Sequence, residues 1–205
     1  MGSFLSQVPA GHDLRIVLIG KTGSGKSSSG NTIVGKHLFT SAPMSTSVTD
    51  KCREERVREN RWLNVVDTPG VLDTDGSRKP GYIQREVLKC LEVSSPGPHV
   101  FLLVMKLGTW SDDDQKSVDN VEDLFPELYR HMIVLFTHSD QLGGITIQDF
   151  VRDGHPNLKD IIRRCSGRYH VFNNKSRRRD QVVELVRKID ELVAVEGIYD
   201  HHHVD

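Results

Sequence analysis

The segment Gly20-Lys21-Thr22-Gly23-Ser24-Gly25-Lys26-Ser27 fits G-x-x-x-x-G-K-[ST], a spacing in which each residue type has a phosphate-directed task. Glycines let the backbone wrap an anion with its N–H groups turned inward, and a helix starting at the end of the loop adds positive potential. Lys26 is placed to reach the β and γ phosphates of a nucleotide. The Ser27 hydroxyl is placed to bind Mg²⁺, with Ser28 beside it beneath the nucleotide.

Asp67 ends the apolar run Trp62-Leu63-Asn64-Val65-Val66 and opens Asp67-Thr68-Pro69-Gly70. D-x-x-G is common in turns, but an acid at the end of a strand neighbouring a phosphate loop can hold Mg²⁺ through a water. The Gly70 amide can then meet the γ phosphate, so that the following loop responds to its presence. Val71 stands where a water-orienting Gln would serve hydrolysis, and Val cannot position water, which predicts slow intrinsic turnover. Base choice rests on Thr137-His138-Ser139-Asp140. A carboxylate there accepts from N1–H and the exocyclic amine of guanine and repels the bare ring nitrogen of adenine. His138 can lie over the base, and an amide of Asn173 or Asn174 can contact the guanine O6; an N-cap and an ordinary turn are the plainer readings of these two loops.

These residues need a scaffold of strand ends. Continuous apolar runs predict buried strands at 14–19, 99–105, 131–137 and 168–174, and 48–57 with 61–67 predicts an antiparallel hairpin. Helical spacing of apolar residues predicts helices at 26–34, 82–93, after Ser111, in one or two pieces over 146–166, and at about 178–196. Strands alternating with helices imply an α/β fold in three layers, a mostly parallel central sheet with one antiparallel hairpin strand and helices on both faces. Residues 1–13 are expected to be a flexible leader, 14–197 one domain, and 198–205 a disordered tail or expression remnant.

The 205 residues are 37% hydrophobic and 27% charged with a formal net charge of −1, which gives no reason to expect nucleic acid or an anionic membrane as the main partner. The longest apolar run, Val100 to Met105, is far short of the roughly 20 residues of a membrane span. Cys52, Cys90 and Cys165 have no paired spacing, and the expectation is reduced thiols in a cytoplasmic protein. Met1-Gly2-Ser3-Phe4-Leu5-Ser6 fits the N-myristoylation pattern with Gly2 as acceptor, against a chance match or an artificial start. One acyl chain would support only weak membrane association.

The chain resembles the GTPases of the immunity-associated protein family (GIMAP, or IAN), related to septin-like and Toc-type G domains. The resemblance runs from about Leu14 to Val195. It rests on "IVLIGKTGSGKSSSGNTIVG", "SVTDKC", "VVDTPGVLDT", "SSPGPHVFLLVMKLG", "VLFTHSDQLGG" and "CSGRYHVFNN". The resemblance implies a P-loop GTPase with GTP/GDP and Mg²⁺ as cofactors, and it favours Thr49 over Thr46 as the switch threonine on the metal with Ser27 and Asp67. Arg53, Arg78 and Arg85 are candidate charge stabilisers. Thr109-Trp110-Ser111 depart from the family pattern, which has Arg and an aromatic-Thr pair there. The resemblance also implies a homodimer or homo-oligomer formed through the nucleotide face.

The expected function is a Mg²⁺-dependent, GTP-controlled switch or scaffold with slow or dimer-activated hydrolysis. A GTP/GDP-binding module that does not hydrolyse is the alternative, and Asp67-Thr68-Pro69-Gly70 with Asp140 argues against an ATP-using P-loop enzyme.

Overall fold

Uninterrupted apolar strands need cover on both faces, and the computed structural model supplies it. It describes residues 8–40, 52–68, 70, 72–73 and 81–200. In chain order the elements are β1 (Leu14–Ile19), α1 (Lys26–Val34), β2 (Arg53–Arg58), β3 (Trp62–Asp67), α2 (Tyr82–Val93) and β4 (Val100–Lys106). They continue as α3 (Asp112–Leu124), β5 (Met132–Thr137), α4 (Ile147–Arg152), α5 (Pro156–Arg164), β6 (Tyr169–Val171) and α6 (Asp180–Glu196). The strands form one sheet in the order β2-β3-β1-β4-β5-β6, in which only the β2–β3 pair is antiparallel.

Side chains alternate across this sheet and divide the core in two. Val17, Ile19, Phe101, Leu103, Val134 and Phe136 pack with residues of α2, α3 and α5. Their neighbours Ile16, Leu18, Leu102, Val104, Ile133 and Leu135 pack with α1 and α6. The three-layer α/β expectation holds. β2, with Arg53, Glu54, Glu55, Arg56 and Arg58, is a charged edge that resists pairing with another chain.

Several details differ from the sequence expectation. The final strand is shorter, because Ser139 N–H donates to the Phe172 carbonyl and the chain then turns through Asn173. The first hairpin strand is seen from Arg53 to Arg58. Short 3₁₀ segments at Pro126–His131 and Ser139–Gln141 carry no periodicity long enough to foresee. The packed core reaches from Val8, fully buried, to Tyr199, which sits edge-on against Phe101 with ring centroids 5.4 Å apart.

The expectation of three reduced cysteines is corrected. Cys52, at the entry to β2, forms a disulfide with Cys90 of α2 across 38 residues of sequence, and only Cys165 is free. A long-range pairing has no local spacing to betray it. Burial pushes the Cys165 thiol up to about 12, so it is inert.

The motif before β4 has a structural task. His99 N–H donates to the Arg15 carbonyl, and His99 Nδ1 accepts from Arg15 N–H at 2.9 Å, which places the ring proton on Nε2. Pro98 and His99 thereby splice the start of β4 onto β1.

Candidate functional site

The site begins where β1 ends. Gly25 has φ of 101°, a left-handed conformation suited to glycine, and α1 starts directly after it. A Cβ at Gly25 would also press against Thr137 Cγ2 at 3.0 Å. Thr137, fully buried at the end of β5, donates its hydroxyl to the Ser24 carbonyl at 2.8 Å, so β5 buttresses the loop from below. His138 Nδ1 lies 2.8 Å from the same hydroxyl oxygen. That oxygen has given its only proton to a carbonyl, so His138 Nδ1 must carry a proton and donate. Burial, with Lys106 next, holds the His138 pKa below its ordinary value, which favours the neutral Nδ1–H tautomer.

Lys26 is buried and reaches back across the loop, donating to the Lys21 carbonyl at 2.9 Å, while Lys21 itself pairs with Asp114 at 2.7 Å. Asp114 belongs to the capping box that Ser111 makes at the start of α3. The departure Thr109-Trp110-Ser111 therefore begins a well-capped helix whose first turn holds the phosphate-loop lysine.

Ser27 Oγ donates to Asp67 Oδ2 at 2.5 Å, joining the end of β3 to the first turn of α1. Asp67 is 1% exposed, and its second oxygen, Oδ1, is buried with no hydrogen-bond partner among the described residues. Burial pushes its pKa up, against the pull of the Ser27 hydrogen bond and of Lys26 and Arg53. Two hard oxygen donors side by side, one with an unused buried lone pair, fit Mg²⁺, which takes one or two protein oxygens and completes its shell from phosphates and water. The described residues contain no group of three or more His, Cys, Asp or Glu that could hold a metal ion.

Gly70 lies against the phosphate loop: a Cβ there would collide with the side chains of Thr22 and Asp73. Asp73 Oδ1 accepts from Thr22 N–H at 2.5 Å, and Asp73 Oδ2 accepts from the Thr22 hydroxyl at 2.6 Å. At the other end of the site, Asp140 Oδ2 accepts from Lys175 Nζ at 2.6 Å, and this bond holds the Asp140 carboxyl below the usual carboxylate range. Asn173 Oδ1 accepts from Lys175 N–H in a local turn. Asn174 docks on α1, its amide donating to Ser29 Oγ at 3.2 Å and its oxygen accepting from Thr32 Oγ1 at 2.8 Å. Ser28 lines a cavity of about 340 Å³ between α1 and this segment, with Lys36 and Arg178 on its walls.

Gly20 to Ser27, Asp67, Gly70, Thr137 to Asp140 and Asn173-Asn174 thus stand at the carboxyl ends of β1, β3, β5 and β6, one edge of the sheet. Strand order reverses about β1, the place where open α/β sheets take ligands. Gly2, Thr49, Val71, Arg78 and residues 201–205 lie outside the described residues. Sequence reasoning missed Asp73, Asp114 and Lys175. Each is an ordinary charged residue in a turn or helix start, and only the folded chain brings it to the site. For Asp114 the S-x-x-D pattern from Ser111 was a usable local signal.

A family model described as the AIG1 family matches residues 14–204. The chain is 38% identical over 191 residues to human GTPase IMAP family member 8, covering 90% of this chain and 28% of that protein. It is 34% identical over 184 residues to immune-associated nucleotide-binding protein 9 of Arabidopsis thaliana, covering 87% and 53% respectively. The chain therefore spans about a quarter to half of the length of these relatives. Among solved structures it is similar to Toc33 from Arabidopsis thaliana in complex with Mg²⁺ and GMPPNP, with a TM-score of 0.69 at 17% identity over 91% of this chain and 86% of that one. A further similar structure, TM-score 0.64 at 18% identity over 90% of this chain and 84% of that one, concerns the importance of dimerization for the GTPase activity of the chloroplast translocon components atToc33 and psToc159. The likeness to these structures gives the fold, a P-loop G domain with a six-stranded mixed sheet. By its sequence match the chain belongs to the AIG1 family, the immunity-associated group that its motifs resemble.

Proposed function

We propose that the chain is a guanine-nucleotide-binding domain working as a Mg²⁺-dependent switch that hydrolyses GTP slowly or only when paired with a second copy. The observation that carries this reading is the convergence of the phosphate loop, Asp67, Gly70 and Asp140 on one sheet edge. In it the Gly20 to Ser27 backbone binds the phosphates and Lys26 offsets their charge. Ser27 and Asp67 would hold Mg²⁺, which would supply charge neutralisation to the phosphates. Gly70 senses the third phosphate at the collar it forms with Thr22. Asp140, ionised at neutral pH, reads guanine by accepting two hydrogen bonds, after Lys175 has turned aside to solvent. Neutral His138, its proton committed to Thr137, presents a flat ring at the same loop. Similar proteins known by name as GTPases, and the Toc-type dimers, support hydrolysis and pairing.

Titration calorimetry with GDP, GTPγS and ADP tests the base assignment; ADP bound as tightly as GDP would sink it. Asp140→Asn exchanges an acceptor for a donor, and its preference is expected to move to xanthine nucleotides. Val71 favours a second reading, a module that binds GTP and GDP without turnover. A specific hydrolysis rate that stays at background from low to high micromolar protein would select that second reading.

A further inference from the structure

The geometry points to Asp73 as the residue that sets the preference of this site for a nucleoside diphosphate over a triphosphate. The inference rests on the guanine-nucleotide reading above and adds to it a specificity determinant. Asp73 grips Thr22, the third residue of the phosphate loop, by two bonds at once: main-chain N–H to Oδ1 at 2.5 Å and hydroxyl to Oδ2 at 2.6 Å. An N–H in a phosphate loop is a donor meant for an anion, and a carboxylate is the one side-chain anion that can take it.

The grip is built into the scaffold. Leu72, immediately before Asp73, is 2% exposed in the core between the sheet and α3, and its carbonyl lies 3.0 Å from the buried Ser117 hydroxyl of α3, whose one proton the Asp113 carbonyl also competes for at 2.7 Å. Asp73 N–H donates to the Gly70 carbonyl at 3.0 Å, closing a tight turn against the loop. Gly70, Thr22 and Asp73 pack so closely that a single added Cβ at Gly70 collides with both side chains.

A β phosphate is held deeper in the loop, by Gly23 to Lys26. A γ phosphate has to enter at the Gly70–Thr22 collar, where it meets a carboxylate already bonded to the amide it would use. Like charges brought together there would repel, and the third phosphate would have to break both bonds before making its own. A diphosphate leaves the grip intact. Asp73 therefore penalises GTP and leaves GDP nearly untouched, and its release is a local signal that the third phosphate has arrived.

The test is the ratio of Kd values for GDP and GTPγS, measured by calorimetry with Mg²⁺ on the whole chain and on Asp73→Asn. Asn keeps the size and removes the charge. GTPγS affinity is expected to rise about ten-fold, or about 1.4 kcal/mol, with GDP affinity changed less than about two-fold. Thr22→Val removes the hydroxyl half of the grip and is expected to shift the ratio the same way by about three-fold. It keeps the test standing should Asp73→Asn fail to fold. A wild-type chain that binds both nucleotides, with a ratio unmoved or moved towards GDP in the variants, overturns the role of Asp73 alone. A wild-type chain that binds neither overturns the guanine reading and this inference with it.

Discussion

Replacing Thr137 by Val tests whether β5 really carries the phosphate loop. The two side chains share a shape, so the change removes one hydroxyl and little else. That hydroxyl is fully buried, donates to the Ser24 carbonyl at 2.8 Å and accepts from His138 Nδ1 at 2.8 Å. His138 is partly exposed and can turn its N–H to water, so the lasting loss is the buried acceptor of Ser24. An orphaned buried group costs about 1–3 kcal/mol, and about 2 kcal/mol is expected here. Thr137→Ser is the control: it keeps the hydroxyl and deletes the methyl that touches Gly25, at a cost of about 1 kcal/mol. Urea unfolding followed by circular dichroism gives the stability of each. GDP titration gives the effect on the loop, expected as a roughly ten-fold loss for the Val variant and less for the Ser variant. A Val variant at least as stable as the Ser variant, with wild-type GDP affinity, would refute the idea that this one bond positions the loop.

Two further outcomes follow from buried groups away from the site. Burial pushes His99 and His170 down to about 4 from an ordinary 6.5. The folded pKa lies below the unfolded one, so the stability they contribute is complete above pH 6.5 and is lost as pH falls towards 4. That loss amounts to about 3 kcal/mol for the well-buried His170 and to less for His99, which water screens in part. His99→Asn keeps an acceptor for Arg15 N–H, and its urea midpoint should fall less between pH 7 and pH 5 than that of the wild type; identical slopes would contradict the assignment. The Cys52–Cys90 bridge closes a loop of 38 residues, which on chain entropy is worth about 4 kcal/mol. Melting with and without dithiothreitol should differ by about 8–16 °C, and coincident curves would show that the bridge contributes nothing.

The parts of this molecule legible in the sequence are those in which a local pattern has only one structural outlet. The runs at β1, β4 and β5 are apolar on both faces and can only be central parallel strands. Gly25-Lys26-Ser27 after such a run can only turn into a helix start. Ser111 announces α3. Pairings over long sequence separations were not legible: Cys52 with Cys90, Thr22 with Asp73 and Asp140 with Lys175. They join residues whose own neighbourhoods say only turn, edge or surface, and the sheet order that brings them together is a property of the whole chain. Asn174 shows the same limit from the other side. Its place after a strand gave no sign that its side chain bonds to Thr32 and Ser29 of α1.

Several groups proposed to bind the nucleotide have a partner within the chain whose chemistry matches part of it. The Thr22 amide faces a carboxylate where a phosphate oxygen would serve, and Asp140 faces an ammonium where ring N–H donors would serve. Lys26 faces a carbonyl oxygen, and Ser27 faces Asp67. Most buried donors and acceptors are paired in a folded chain, and these contacts meet that need, with Asp67 Oδ1 an exception among the described residues. Affinity is then a difference between the contacts a ligand makes and those it displaces. The displaced contacts are graded. The Lys175–Asp140 pair is open to water, with 75% and 32% of its side chains exposed, and so costs little to exchange. The Ser27–Asp67 pair is enclosed, with Asp67 1% exposed, and gives way only to a species that satisfies both oxygens together, as a divalent cation does. On the proposed reading, base recognition would begin from a contact that opens readily, whereas the metal end would discriminate strictly. On the same reading Asp73, bonded to Thr22 and following the buried Leu72, would stand between them, where diphosphate and triphosphate differ.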